Sequence, residues 1–407
     1  QGIFIAYAED DRDNRVLRNI VGSADLLIDA LFGIGIRLPI TGAAQTILRQ
    51  TNRVIDIVRA EYASEYIENP SQPHHNQTPR SFKVLALDCP SGLDCDTGEI
   101  DSNAIPADVT ITFIAPKTGL VTYPGADAVG QLQIAAIGIP EDLNTLQEPT
   151  PRLTTARQIK AVLPQRNSHS HKGTHGKALI VAGSANYIGA AGLSAIAAYR
   201  AGVGLVTVAT TPTTVNQLAG THPEPTWISL TQEDGAIAAD ATQQLVPLLD
   251  GYSTILAGPG LGQAPPTQEF LARLLADANP LPSLVLDADA LNILAKSADW
   301  HTQLPPETII TPHPGEMARI SQLKNQAITA DRLQIATQKA AEWDVILVLK
   351  GAHTIIAAPD GRVQILPFKN DGLATAGTGD ILAGLIAGLR AQRIHAFDAA
   401  NIGAYVH

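Results

Sequence analysis

Close to the C-terminal end of the sequence, Ala374–Asp380 reads ATAGTGD. Glycines at 377 and 379 let the backbone turn tightly and present its N–H groups. A helix beginning near Asp380 or Ile381 adds the positive end of its dipole to the same spot. Such a turn is built to hold an anion, a phosphate above all. Asp380 then has two readings. It is an N-cap that satisfies orphan N–H groups, or it is a general base beside a bound phosphate.

Other polar turns accompany it. Lys350–Thr354 (KGAHT) follows an apolar run; Lys350 either reaches a phosphate or snorkels from a strand end, and Gly351 allows close approach of a nucleotide. In Thr311–Glu316 (TPHPGE), Pro312 and Pro314 fix the backbone around His313, which can contact a substrate or orient water. Gly258–Gly262 (GPGLG) permits close backbone approach. Asp287–Asn292 (DADALN) sets two carboxylates, Asp287 and Asp289, where they could hold Mg2+ directly or through water, or where Asp289 simply caps a helix. In Gly183–Ala191 (GSANYIGAA), Gly189 and Ala190 open a helix whose N-terminus could take a second ligand. The first half offers Asp29–Pro39 (DALFGIGIRLP) and Asp88–Asp94 (DCPSGLD), where Asp29, Asp88 and Ser91 suit a monovalent cation or a polar ligand, or serve as caps and turns. Ser91 is no nucleophile elbow, because GxSxG is absent.

The elements that must position these residues alternate between strand and helix. Strands are expected at Asp25–Leu31, Lys83–Asp88, Val109–Phe113 and Gln131–Ala135, with a helix over Thr41–Val58. After Ile139–Arg157, a proline-bearing linker candidate, strands follow at Ala178–Ala182, Leu205–Ala209, Thr254–Ala257, Ser283–Asp287, Thr308–Thr311 and Val345–Leu349. Thr354–Ala358 is a hairpin partner for the last of these, and helices are expected at Ala190–Ala201 and Ile381–Leu389. The alternation predicts two α/β domains with mainly parallel sheets, residues 1–150 and 151–407. Open sheets of this kind place ligands at the C-terminal ends of their strands, where the polar turns fall. Glu61–Ser81 breaks the rhythm as a surface excursion, and its His74 and His75 read as solvated rather than metal-binding.

Composition narrows the classes. The chain has 407 residues, 45% hydrophobic and 16% charged, which is ample for buried cores and argues against disorder. A net charge of −11 disfavours nucleic-acid binding by phosphate contacts. There is no apolar run long enough to cross a bilayer and no signal peptide. Cys89 and Cys95 fit neither a zinc nor a redox spacing and read as reduced thiols of a cytoplasmic protein. The sequence opens at Gln1, with Ile3–Ala6 already strand-like, as though in mid-domain.

The second half resembles the ribokinase superfamily through GTGD. More narrowly, HKGTHGKALIVAGS, GPGLG, DADALN, TPHPGEMARI, LKGAHT and GLATAGTGDILAGLIAGL resemble the ADP-dependent NAD(P)H-hydrate dehydratases, from about His171 onward. DALFGIGIRLP and DCPSGLDCDTG resemble the NAD(P)H-hydrate epimerase domain, and the order is that of the bifunctional NAD(P)H-hydrate repair enzymes. The resemblance implies two three-layer α/β domains, the first Rossmann-like and incomplete, the second ribokinase-like. It implies ADP-dependent dehydration of the S epimer of hydrated NADH or NADPH, releasing AMP and phosphate, alongside epimerisation of the R and S hydrates.

Carried over by motif, Lys350, Gly351, Ala352, His353, Thr354 and Gly379 would bind the adenine nucleotide. Ala190, Gly260 or Gly262, His313 and Asp380 would contact the hydrated dinucleotide, with Asp380 as catalytic base. In the epimerase half, Asp29 and Ser91 would hold potassium, while Gly33, Ile34, Gly35, Ile36, Arg37, Leu38, Pro39 and Asp88 would bind substrate. ADP, Mg2+ and K+ are the expected ligands, in a homo-oligomer free of nucleic acid and membrane. The resemblance also leads one to expect an Asn-Asn-Gly-Gly-Asp loop before the DALFG strand. It is absent from this sequence, so the expectation is dehydratase activity without epimerase activity. A small-molecule kinase of the same superfamily and a non-catalytic nucleotide-binding regulator are the competing readings.

Overall fold

A computed structural model describes residues 3–64, 82–139, 151–277 and 280–407. His74 and His75, and residues 140–150 of the linker candidate, lie outside the described residues. The chain divides into two compact units, Gln1–Gln147 and Glu148–His407.

In the first unit four parallel strands pair in chain order: β1 (Leu26–Asp29), β2 (Lys83–Leu87), β3 (Val109–Phe113) and β4 (Gln131–Ala135). The Gly42–Ser64 helix connects β1 to β2. Val54, Ile55 and Val58 of that helix join Val84 and Ala86 of β2 in one buried cluster.

The second unit holds β5 (Arg152–Leu153), β6 (Lys177–Val181), β7 (Leu205–Thr210), β8 (Thr226–Ser229), a small hairpin of β9 (Gln232–Glu233) and β10 (Ala236–Ile237), then β11 (Thr254–Ala257), β12 (Ser283–Leu286), β13 (Ile309–Ile310), β14 (Ile346–Leu349), β15 (Ile355–Ala357) and β16 (Val363–Ile365). Apart from the hairpin, these form one sheet of order β5-β16-β15-β14-β13-β12-β11-β6-β7-β8. It is parallel except where β15 runs against β14 and β16, so the expected hairpin is present. Ile180, Val208, Leu256, Val285 and Val348 pack against small residues of the Ile188–Arg200, Thr378–Ala391 and Ala396–Val406 helices. The alternate set, Leu179, Val181, Ile255, Leu284 and Leu347, is buried as well. Both faces are therefore covered, which explains why these strands read as unbroken apolar runs. Among the described residues no helix is long and apolar enough to cross a membrane.

Candidate active site

The sheet order of the second unit fixes where a ligand can sit. From β6 the chain winds outward through β7 and β8, then jumps to β11 on the other side of β6 and winds away through β12, β13 and β14. The turning point lies between β6 and β11, and crevices open at the C-terminal strand ends of such a point. The turns after these strands are GSANYIGAA and GPGLG. They touch: a Cβ on Gly260 would fall 2.8 Å from both the Tyr187 carbonyl oxygen and the Ala190 Cβ. Gly260 also has φ +62°, open to glycine and strained for other residues. Ser184 Oγ donates to the Gly260 carbonyl at 2.9 Å. Ala190 and Gly260 thus share one wall.

Next to that wall, Asp287 follows β12 directly, with 1% of its surface exposed. Its Oδ1 accepts from Thr311 Oγ1 at 2.7 Å and from Lys350 Nζ at 2.8 Å. Lys350 is therefore no snorkelling surface lysine. Its Nζ also lies 3.6 Å from Glu316 Oε2. Burial alone would make the ammonium easier to deprotonate, but Asp287 and Glu316 outweigh it and raise its pKa. Lys350 stays a cation flanked by two carboxylates.

The GTGD turn closes over this group. The helix is Thr378–Ala391 with Gly377 as N-cap at φ +90°. The expected cap position of Asp380 is thereby corrected: it is the third helical residue, because Thr378 and Gly379 already adopt helical geometry. A Cβ on Gly379 would sit 3.5 Å from Lys350 Nζ and 3.9 Å from Asp287 Oδ2. The free helix N–H groups, Lys350 and Asp380 therefore converge. Burial, then the neighbouring Asp287, pushes the Asp380 carboxyl up to about 6, against the pull of Lys350. A carboxyl titrating there suits proton abstraction near neutral pH.

The remaining site residues have more local roles. His313 caps the Pro314–Ser321 helix, its Nδ1 accepting from Gly315 N–H at 3.0 Å and Glu316 N–H at 3.3 Å. That leaves the ring proton on Nε2, and burial lowers the imidazole pKa so that it is neutral at pH 7. Glu316 returns the contact, accepting from His313 N–H at 2.8 Å. The His353 ring is buried, 3.0 Å from the Leu366 carbonyl. Gly351, at φ +143°, and Thr354, whose Oγ1 donates to the Gly351 carbonyl at 2.8 Å, shape the KGAHT loop.

Asp287 and Asp289 do not converge on one metal. Asp289 instead accepts from Gly262 N–H at 2.9 Å and Gln263 Nε2 at 3.1 Å. Among the described residues no group of three or more His, Cys, Asp or Glu could hold a metal ion. The residues fit a Mg2+ that arrives with nucleotide phosphates and keeps its own waters, not a resident metal centre.

Sequence reasoning missed Arg332 and Glu316. Arg332 opens the Arg332–Trp343 helix and donates to the carbonyls of Ala352 at 2.6 Å, Leu349 at 3.2 Å and Lys350 at 3.3 Å. A cation at a helix start opposes the dipole. That misfit was the available signal.

In the first unit Asp29 and Ser91 meet, 62 residues apart in sequence. Ser91 N–H and Oγ donate to the Asp29 carboxylate at 2.7 and 2.6 Å. Asp29 is 4% exposed, and the contacts found for its carboxylate among the described residues are neutral donors. A buried carboxylate so placed suits a monovalent cation. Asp88, at φ +69°, pairs with Lys117, a third residue that sequence reasoning missed. Burial favours protonation of Asp88, but Lys117, Phe113 N–H and Thr112 outweigh it and hold the carboxyl below the usual range. Gly33 faces this carboxylate, its Cβ position 3.6 Å from Asp88 Oδ2, whereas Ile34, Gly35 and Arg37 are exposed.

Residues 178–407 match the family model described as NAD(P)H-hydrate dehydratase, and residues 3–119 match that of the YjeF-related protein N-terminus. The bifunctional NAD(P)H-hydrate repair enzyme Nnr of Moorella thermoacetica is 40% identical over 385 residues, covering 94% of this chain and 67% of that protein. Its counterpart in Thermofilum pendens is 31% identical over 407 residues, covering 100% of this chain and 71% of that protein. The chain spans about two thirds of the length of such relatives. Among solved structures, an ADP/ATP-dependent NAD(P)H-hydrate dehydratase from Bacillus subtilis, co-crystallised with ATP and Mg2+, is 32% identical with TM-score 0.54, covering 64% of this chain and 88% of that one. A ribokinase-like superfamily protein from Enterococcus faecalis is 28% identical with TM-score 0.55, covering 63% of this chain and 85% of that one. Motif order, sheet topology and these similarities agree: the chain belongs to the family of bifunctional NAD(P)H-hydrate repair enzymes.

Proposed function

We propose that the second unit dehydrates the S epimer of NADH or NADPH hydrate, with ADP as phosphate donor. Asp380 takes the proton of the C6 hydroxyl as its oxygen attacks the terminal phosphorus of ADP. The bond to AMP breaks. The phosphate ester then leaves as inorganic phosphate while an adjacent ring proton is lost and the ring double bond reforms. Lys350 and the N–H groups of the GTGD turn balance the charge on the transferring phosphate. Mg2+, when bound with the nucleotide, offsets phosphate charge. Ala190, Gly260, Gly262 and His313 hold the dinucleotide hydrate; Lys350–Thr354 and Gly379 hold the nucleotide.

The observation that carries this reading is a carboxyl titrating at about 6 on a helix N-terminal turn that abuts Lys350. Incubation with hydrated NADH and either ADP or ATP tests it, following NADH absorbance and free phosphate. Recovered NADH with stoichiometric phosphate is expected, faster with ADP. A stable phosphorylated product without NADH would identify a kinase instead. For the first unit we propose the epimerase half of the family's site, with K+ held by Asp29 and Ser91 and substrate by Gly33–Pro39 and Asp88; epimerisation of the R and S hydrates by this unit also needs the Asn-Asn-Gly-Gly-Asp loop that this sequence lacks.

A further inference from the structure

One side of the second unit's site carries a cleft that the roles above do not use. It measures about 590 Å³ and is lined by Gln263, Asn292, Ala295, Lys296 and Arg319. It begins where the substrate wall ends, because Gln263 follows Gly262 in sequence. Asp289 accepts from Gly262 N–H and Gln263 Nε2. Asn292 Nδ2 approaches Asp289 Oδ1 at 3.5 Å, and Asn292 Oδ1 accepts from Arg319 Nε at 2.8 Å. His313 lies near Arg319: a Cβ on Gly315 would lie 2.9 Å from the His313 ring and 3.7 Å from Arg319 Nη1. Gly262 and His313, two of the four substrate contacts of the reading above, thus lie next to residues of this cleft, Gly262 beside Gln263 and His313 near Arg319.

The chemistry of Arg319 is specific. Its Nε is held by a neutral amide, so the planar head is oriented without its charge being neutralised. Among the described residues no carboxylate forms an ion pair with it, and Lys296 adds a second exposed cation to the same cleft. An oriented guanidinium fork with its terminal nitrogens turned to solvent matches the paired oxygens of a phosphate.

We propose that Arg319, presented by Asn292, binds a phosphate of the hydrated dinucleotide and so sets the dinucleotide affinity of the dehydratase site. This rests on the dehydratase reading above. The ligand chemistry is a phosphate ester, supplied either by the diphosphate bridge or by the 2′-phosphate that NADPH hydrate alone carries.

Steady-state kinetics of the full chain decide it, with Arg319→Gln, Arg319→Lys and Asn292→Ala assayed on hydrated NADH and hydrated NADPH at saturating ADP. Arg319→Gln is expected to raise KM for the dinucleotide hydrate about 10- to 100-fold with kcat much less affected, the mark of a contact made equally in ground and transition states. KM for ADP should stay within about twofold. Arg319→Lys should recover part of the loss, because it keeps the charge and forfeits the fork. Asn292→Ala should shift KM the same way by less, and should add little to Arg319→Gln. A rise confined to hydrated NADPH assigns the 2′-phosphate; an equal rise for both assigns the diphosphate. A KM unchanged for both dinucleotides in a variant that melts like the parent overturns the proposal, as does a loss shared equally by ADP. A parent chain that yields no NADH overturns the dehydratase reading itself, and this proposal with it.

Discussion

The two units share one strand–helix alternation and use it differently. In the second, β6, β11 and β14 are buried on both faces, with Ile180, Leu256 and Val348 at 0% exposure. In the first, β1 and β4 leave apolar side chains open among the described residues: Leu26 is 51% exposed, Ile28 53% and Ile134 44%. A parallel sheet covered on both faces fixes its strand ends rigidly, so the loops beyond them can hold charges in place. There the second unit confines three carboxyl groups, Asp287, Glu316 and Asp380, around one cation, Lys350. The first unit confines Asp29 among neutral donors. One site carries its counter-charges in its own side chains; the other is suited to take one from solution.

Four measurements sharpen or break that contrast. Asp380→Asn should lower kcat by about 10³-fold while the Kd for ADP stays within about twofold. A regulator that only binds nucleotide would be untouched. The same variant should melt higher at pH 7, by about 1–3 °C. The Asp380 carboxyl ionises near 3.8 when unfolded and near 6 when folded, so folded-state stability declines as pH rises through that window, and Asn escapes the penalty.

Next, Lys350→Met removes the cation between two buried carboxylates. Denaturant unfolding of the second unit should show a loss of about 3 kcal/mol. An unchanged midpoint would mean that the charges are not mutually supported. Third, kcat/KM should fall about tenfold per pH unit below the Asp380 midpoint near 6 and level off above it, since only the ionised carboxylate accepts the proton. A flat profile from pH 5 to about 8 would remove Asp380 as the base. The smallest effect belongs to the first unit. Exchanging choline chloride for KCl should raise its melting temperature by about 1–3 °C, and Asp29→Asn should abolish the difference.

Much of this was legible in the sequence. Apolar runs bounded by polar turns located every strand of the site, since a twice-covered parallel strand must read that way. The five residues of KGAHT and the GTGD turn could be seen because glycine and charge at a strand end or helix start stand out locally. What was not legible lies between segments. Asp287 and Lys350 are 63 positions apart, and nothing local says that they pair. Glu316 reads as a helix-start acid, yet the same carboxylate sits under Lys350. His353 looks like a ligand contact in the motif, and nothing local says that its ring is buried against the Leu366 carbonyl. Lys117 carries no motif at all and Arg332 only its misfit at a helix start; their roles show in the carboxylate and the backbone that they reach.

The short segment Asp287–Asp289 has a consequence for how the two ligands influence each other. Its first carboxylate anchors Lys350, proposed above for the nucleotide; its second fastens Gly262, proposed above for the dinucleotide. Between them Ala288 sits at φ +49°, and Gly258 packs so tightly that a Cβ there would fall 1.8 Å from the Asp287 carbonyl oxygen. A strap pinned at both ends cannot shift toward one occupant without moving its hold on the other. Under the proposed assignment of the two ligands, one that shifts this strap acts on both sites, and such linkage is reciprocal: whatever ADP does to the affinity for the dinucleotide, the dinucleotide does equally to ADP.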